Sequence, residues 1–207
     1  MAFGKVKGEL IAQIENIGGR DGVKNAIIDM SDGYRSLIKE HFPNATIIAD
    51  KFHVLRLLTP AINKHRVALS GDQRRNPVRR LLLRNRCKLL YYERDALDRW
   101  LRDKPDLKEI YYAKEALHSF YRTKGVERAA RALTRLTDLL AKSTLPEIKR
   151  FRRTLVSWRK EILAYFEKRL TNARTEGFNN VAKLVQKRAY GYRSFENYRL
   201  RLLNACL

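Results

Sequence analysis

Val23-Lys24-Asn25-Ala26-Ile27-Ile28-Asp29-Met30, followed by a second short run at Thr46-Ile47-Ile48-Ala49-Asp50, decides the fold of this chain. Both runs are short, nearly continuous in apolar residues and lead to an aspartate, which is the pattern of buried strands. Between them Ser31 or Asp32 can cap a helix reaching about Phe42, with Tyr34, Leu37 and Ile38 turned inward, and Pro43-Asn44 breaks it. Strand, helix, strand with short connections is a parallel βαβ unit. Two strands apolar on both faces expect neighbours. The pattern therefore predicts the later part of a larger α/β domain. Its exposed sheet edge calls for cover by dimerisation or by a missing N-terminal region.

Upstream, Val6, Leu10, Ile11, Ile14 and Ile17 recur at helical spacing, and Gly18-Gly19 ends that stretch. Downstream, the texture changes at His53. Leu, Ile, Ala, Tyr and Trp recur with helical period among Arg and Lys as far as Lys168. Breaks at Ser70-Gly71, Lys104-Pro105, Lys124-Gly125 and Leu145-Pro146 divide this region into five or six helices. Trp100, Trp158, Tyr165 and Phe166 read as its core. A helix over about Thr175–Lys187 and another over Ser194–Asn204 close the chain, with Gly191 between them. The expected fold is mostly α with a small parallel α/β part. The chain divides into residues 1–54 (helix, strand, helix, strand), an all-helical insertion over 55–170, and C-terminal helices over 171–207.

Composition narrows the function. The 207 residues carry 44 Lys plus Arg against 22 Asp plus Glu, a net charge of +22. Residues 1–50 hold six basic and seven acidic residues, so the positive charge belongs to the rest of the chain. Such a field attracts polyanions, nucleic acid first among them. A solubilising surface is the plainer alternative. Two distant cysteines, Cys87 and Cys206, exclude a disulfide scaffold and a cysteine zinc site and fit a reducing cytoplasm. No apolar run is long enough to span a bilayer, and no membrane partner is expected.

Asp29 and Asp50 end adjacent strands, where open α/β sheets bind ligands. Glu176 opens the helix after Thr171-Asn172. Carboxylates converging from such places can hold Mg²⁺ or Mn²⁺, and such ions serve phosphodiester chemistry. The alternatives are ordinary ones: a helix cap or loop residue for either aspartate, and a first-turn acid favoured by the helix dipole for Glu176.

These segments resemble bacterial insertion-sequence transposases of the ISL-three family. The first block is Val23–Met30, Tyr34, Phe42-Pro43-Asn44-Ala45 and Asp50-Lys51-Phe52-His53-Val54. The second is Thr171-Asn172, Glu176-Gly177-Phe178-Asn179-Asn180, Lys183, Lys187-Arg188-Ala189-Tyr190-Gly191-Tyr192-Arg193 and Phe195-Glu196-Asn197. The resemblance implies a ribonuclease-H-like core with an Asp-Asp-Glu triad and divalent metal. Asp29 matches the second aspartate and Glu176 the glutamate, both as catalytic and metal-ligating residues. Asp50 and His53 match an Asp-x-x-His signature in supporting roles, His53 otherwise being a structural hydrogen-bonded histidine. The family's first aspartate lies upstream of everything present; Asp21, in a Gly-rich turn, does not match it. The expectation is the C-terminal portion of a transposase, with weak metal binding and no strand transfer by itself.

DNA, as transposon ends and target, is the implied partner, together with a second copy or an intact transposase. Lys183, Lys187, Arg188 and Arg193 are the favoured phosphate contacts, and Arg75, Arg79 and Arg86 recur near helical spacing as one further face. Tyr190 and Tyr192 can stack on an unpaired base, although core packing is the plainer reading. A non-enzymatic DNA-binding or multimerising remnant is the competing function. An RNA-binding protein would explain the charge but not the strand-end aspartates.

Overall fold

β1 (Asn25–Ile28) and β2 (Thr46–Ala49) pair in parallel, with Ile28 opposite Ala49, in a computed structural model that describes residues 11–12, 14–70 and 77–206. Between them runs α1 (Asp32–His41). Ser31 precedes α1 in an extended conformation, but its hydroxyl makes no capping bond. Leu37 is buried and Ile38 half-buried, whereas Tyr34, expected inward, is exposed. The upstream helix expected over 5–17 lies partly outside the described residues. Residues 11–12 and 14–15 are helical, and Ile14 is buried.

The fold is mostly α with this small parallel sheet. Among the described residues, eight helices follow β2 in the first of two compact units, which runs to Arg169. They are α2 (Lys51–Arg56), α3 (Thr59–Ser70), α4 (Pro77–Leu83), α5 (Tyr91–Leu101), α6 (Pro105–Tyr121), α7 (Val126–Ala141), α8 (Pro146–Ser157) and α9 (Arg159–Lys168). Three boundaries follow the sequence signals. Pro105 and Pro146 each occupy a helix first turn, where the missing N–H costs nothing. Gly125 precedes α7 at φ 83°, a conformation that favours glycine.

Further breaks carry no such signal and raise the count above the five or six expected. Between α4 and α5 the chain makes a 3-10 turn at Arg86–Lys88 without glycine or proline. It is fixed from outside. Lys114 Nζ, buried on α6, donates to the Leu82 and Arg84 carbonyls at 2.7 and 3.0 Å, and the Arg86 N–H donates to Glu115 at 3.1 Å. Glu93 reaches back to the Leu90 N–H at 3.0 Å and pairs with Arg80 at 2.7 Å, tying α4 to the start of α5.

The helical block closes back onto the sheet. α9 packs on β2, whose Ile48 and Ala49 are completely buried. Phe120 and Tyr121 of α6 meet Tyr165 and Phe166 of α9, with ring centroids 4.9 to 5.6 Å apart. The Arg35 guanidinium of α1 lies 3.5 Å over the Trp158 ring and pairs with Glu161. Trp158, Tyr165 and Phe166 are core as expected, while Trp100 is only half-buried.

His118 on α6 gives this core a pH response. Burial, aided by nearby Lys114, pushes its imidazole below the ordinary 6.5, against the opposing pull of Glu115. The folded state thus releases a proton that the unfolded chain keeps, so stability is present above 6.5 and declines as pH falls below it. The urea midpoint is expected to drop between about pH 7 and about pH 5.5 by more in the parent than in His118→Gln. Equal slopes would contradict this assignment.

The second unit, Leu170–Leu207, consists of α10 (Ala173–Arg188) packed on α11 (Phe195–Cys206), with the Tyr192 and Tyr198 rings tilted against each other at 5.4 Å.

Candidate functional site

The register of the sheet builds the site. Ile28 and Ala49 are partners, so Asp29 and Asp50 follow side by side at the carboxyl ends of two adjacent parallel strands. The Asp50 N–H extends the ladder by donating to the Ile28 carbonyl at 2.9 Å. Asp50 also occupies the N-cap position of α2, yet its side chain makes no capping bond. Instead α2 brings His53 around by one turn onto both carboxylates. His53 Nδ1 lies 2.7 Å from Asp50 Oδ2 and 2.8 Å from Asp29 Oδ1. With acceptors on both sides, Nδ1 carries the ring proton.

Burial differs across the cluster. The Asp50 side chain is 0% exposed, Asp29 49% and His53 42%. Asp50 Oδ1 is buried without a hydrogen-bond partner. An ionised oxygen in that position is costly unless a cation or donor meets it. Ligand atoms of Asp29, Asp50 and His53 lie within 4.8 Å of one another. With its Nδ1 proton in place the imidazole holds the carboxylates rather than an ion, and carboxylate ligands suit Mg²⁺ or Mn²⁺ better than a soft metal.

The support behind this cluster is aromatic. Lys51 Nζ donates to the Tyr165 phenol at 3.3 Å and lies 5.9 Å from the Tyr121 ring centroid, which pins the first turn of α2. The Tyr121 hydroxyl is pushed above its ordinary value, chiefly by burial, then by Tyr165 and Asp50. It stays protonated at any ordinary pH.

The remaining expected residues fall into two groups. Glu176 sits half-buried in the first turn of α10, its N–H donating to the Asn172 carbonyl at 2.8 Å. Lys183, Lys187, Arg188 and Arg193 are all exposed in the same unit, and none has an ion-pair partner among the described residues. Tyr190, expected in the core, is fully exposed and held at φ 52° after the end of α10; Tyr192 is half-buried.

Arg75 lies outside the described residues. Arg79 is exposed on α4, but α4 ends at Leu83, so Arg86 does not continue its face. The Arg86 guanidinium is instead bidentate on Asp98 at 2.7 and 2.6 Å. That hydrogen bond holds the Asp98 carboxyl below its usual range and keeps Arg86 charged.

The matches to known proteins follow this geometry. Residues 4–202 match the family model described as transposase, of the ISL3 DDE type. The chain belongs to the ISL3 transposase family. The transposase for insertion sequence element IS1001 of Bordetella parapertussis is 29% identical over 194 residues, covering 89% of this chain and 48% of that protein. This ISL3-family chain thus spans about half the length of the curated relative it matches. No solved structure matches it. Among the described residues, no helix is long and apolar enough to cross a membrane.

Sequence reading did not find the Lys114–Glu115 latch or the support from Tyr121 and Tyr165. One signal was present. Lys114 falls on the apolar stripe Ile110, Ala113, Leu117, Tyr121, where a lysine needs buried acceptors.

Proposed function

We propose that this ISL3-family chain is the C-terminal portion of a DNA transposase, supplying two members of a metal-dependent Asp-Asp-Glu set within a ribonuclease-H-like core. The observation that carries the reading is the convergence of Asp29, Asp50 and His53 within 4.8 Å of one another at the ends of two adjacent parallel strands. Asp29 and Glu176 are the catalytic carboxylates and the metal ligands. Asp50 and His53 position Asp29, His53 through its shared Nδ1 proton. A divalent ion, when bound, neutralises charge at a phosphodiester and activates the attacking oxygen.

The charge of the chain supports DNA as the partner, in the form of transposon ends and target. Lys183, Lys187, Arg188 and Arg193 track phosphates beside Glu176, with Arg79 and Arg75 adding contacts. A second copy or an intact transposase completes the assembly in the cytoplasm. Residues 1–54 and 171–207 form the core parts and 55–170 the insertion. In this reading metal binding by the chain is weak, and the chain alone does not join strands.

The test is incubation with transposon-end and plasmid DNA in Mg²⁺ or Mn²⁺. The expected result is a DNA complex without strand-transfer product. Any Mn²⁺-dependent nicking disappears in both Asp29→Asn and Glu176→Gln, while nicking that persists in both overturns the assignment. The second reading is a non-enzymatic DNA-binding or multimerising remnant. It predicts DNA binding unaffected by Mn²⁺ and by either substitution.

A further inference from the structure

On the other flank of α2 the structure holds a cavity of about 660 Å³ between α2, α3, the turn after α4, and α6. We propose that it receives one unpaired nucleotide of a DNA strand. The inference rests on the DNA reading above and extends it to a site that reading does not use.

The lining has two characters. Phe52, Leu55, Leu83 and Tyr121 supply apolar and aromatic wall. Lys51, Arg56, Lys88 and Arg122 bring cations to the same space. No carboxylate partners Arg56, Lys88 or Arg122 among the described residues. Among the described residues the one acid in the lining, Glu115, is already engaged by Lys114 and by the Arg86 N–H. The cavity therefore offers uncompensated positive charge over a flat apolar surface.

A bare phosphate would not need the wall, and a hydrophobic side chain would not need the cations. A base with its attached phosphate uses both. The volume lies within the range of about 300–1,000 Å³ typical of small-ligand pockets. A stacked, paired base cannot enter such a pocket, so the occupant is a nucleotide outside the duplex.

A further polar group lines the space. His118, its pKa lowered by burial, is neutral near pH 7 and presents one donor and one acceptor, the complement of a base edge. Position gives the pocket its meaning. Lys51 and Phe52 are the two residues between Asp50 and His53, so a nucleotide held here is anchored next to the carboxylate cluster.

The test compares the full chain on a blunt duplex and on a duplex of equal phosphate number ending in a three-nucleotide single-stranded tail, by fluorescence anisotropy. The tailed duplex is expected to bind about tenfold tighter, the effect of one good base–aromatic contact. Phe52→Ala, at an exposed ring, and Thr59→Trp, which fills the cavity, each shrink that gap to under about twofold and leave blunt-duplex affinity unchanged. Equal affinity for the two duplexes, or a gap surviving both substitutions, overturns the pocket while the DNA reading stands. If deoxyadenosine monophosphate at micromolar concentration removes the tail's advantage, the site is one for free nucleotides and the proposal fails. Binding of neither duplex at low salt overturns the DNA reading itself.

Discussion

Raising salt from about 50 to about 200 mM is expected to weaken the proposed DNA binding about a thousandfold. Each phosphate neutralised by a lysine or arginine releases counterions, and log K falls by about 0.9 per contact per decade of salt. Roughly six contacts give the stated loss. The cations are available. Beyond residue 50 the chain carries 38 basic and 15 acidic residues, and Arg79, Lys183, Lys187, Arg188 and Arg193 are exposed without ion pairs among the described residues. Arg80 and Arg86 are held by Glu93 and Asp98 and contribute less. Replacing Lys183, Lys187, Arg188 and Arg193 together by alanine is expected to flatten the salt slope by about 3 to 4. Arg86→Ala lowers stability instead, and changes the slope by less than about 1. A slope near zero in the parent, or one untouched by the fourfold change, contradicts the assigned surface.

Lys114→Met destabilises the first unit by about 3 kcal/mol, seen as a lower urea midpoint with unchanged slope. The side chain volume is kept, so the loss is electrostatic. Lys114 is 2% exposed and satisfies the Leu82 and Arg84 carbonyls as well as Glu115. Its removal leaves two carbonyls and a half-buried carboxylate with fewer partners, each costing about 1–3 kcal/mol. Burial already holds the ammonium below its ordinary value, with Glu115 opposing. The unfolded chain therefore binds more protons in the alkaline range, and this group penalises folding less as pH rises there. A loss below about 1 kcal/mol would mean that water serves those carbonyls and that the turn after α4 is not latched by α6.

The sheet was legible because its signal is local. Ala26-Ile27-Ile28 and Ile47-Ile48-Ala49 are continuous apolar runs bounded by turn residues, and parallel pairing follows from the helix between them. Asp29 and Asp50 came with it, since each follows its strand directly. His53 came only with the family resemblance; in the structure the start of α2 puts it one turn from Asp50. The helical block was legible wherever Pro or Gly broke it. It was illegible at Arg84–Leu90, where the turn is imposed by Lys114 and Glu115 from about thirty residues away. For the same reason Arg75, Arg79 and Arg86 looked like one helical face. Their spacing was right, but the helix stops at Leu83. Tyr34 and Tyr190 looked apolar enough to bury, and nothing local to them tells whether a tyrosine packs or faces water. The cavity beside α2 had no sequence signature, because its walls come from four separate segments.

In the proposed function Asp29 and Glu176 are both ligands of a divalent ion. Titration of Mn²⁺ into the full chain, with free ion counted by electron paramagnetic resonance, tests it most directly. Weak binding is expected in the parent, falling at least about tenfold in Asp29→Asn and equally in Glu176→Gln. Binding that is lost in Asp29→Asn but unchanged in Glu176→Gln would contradict it.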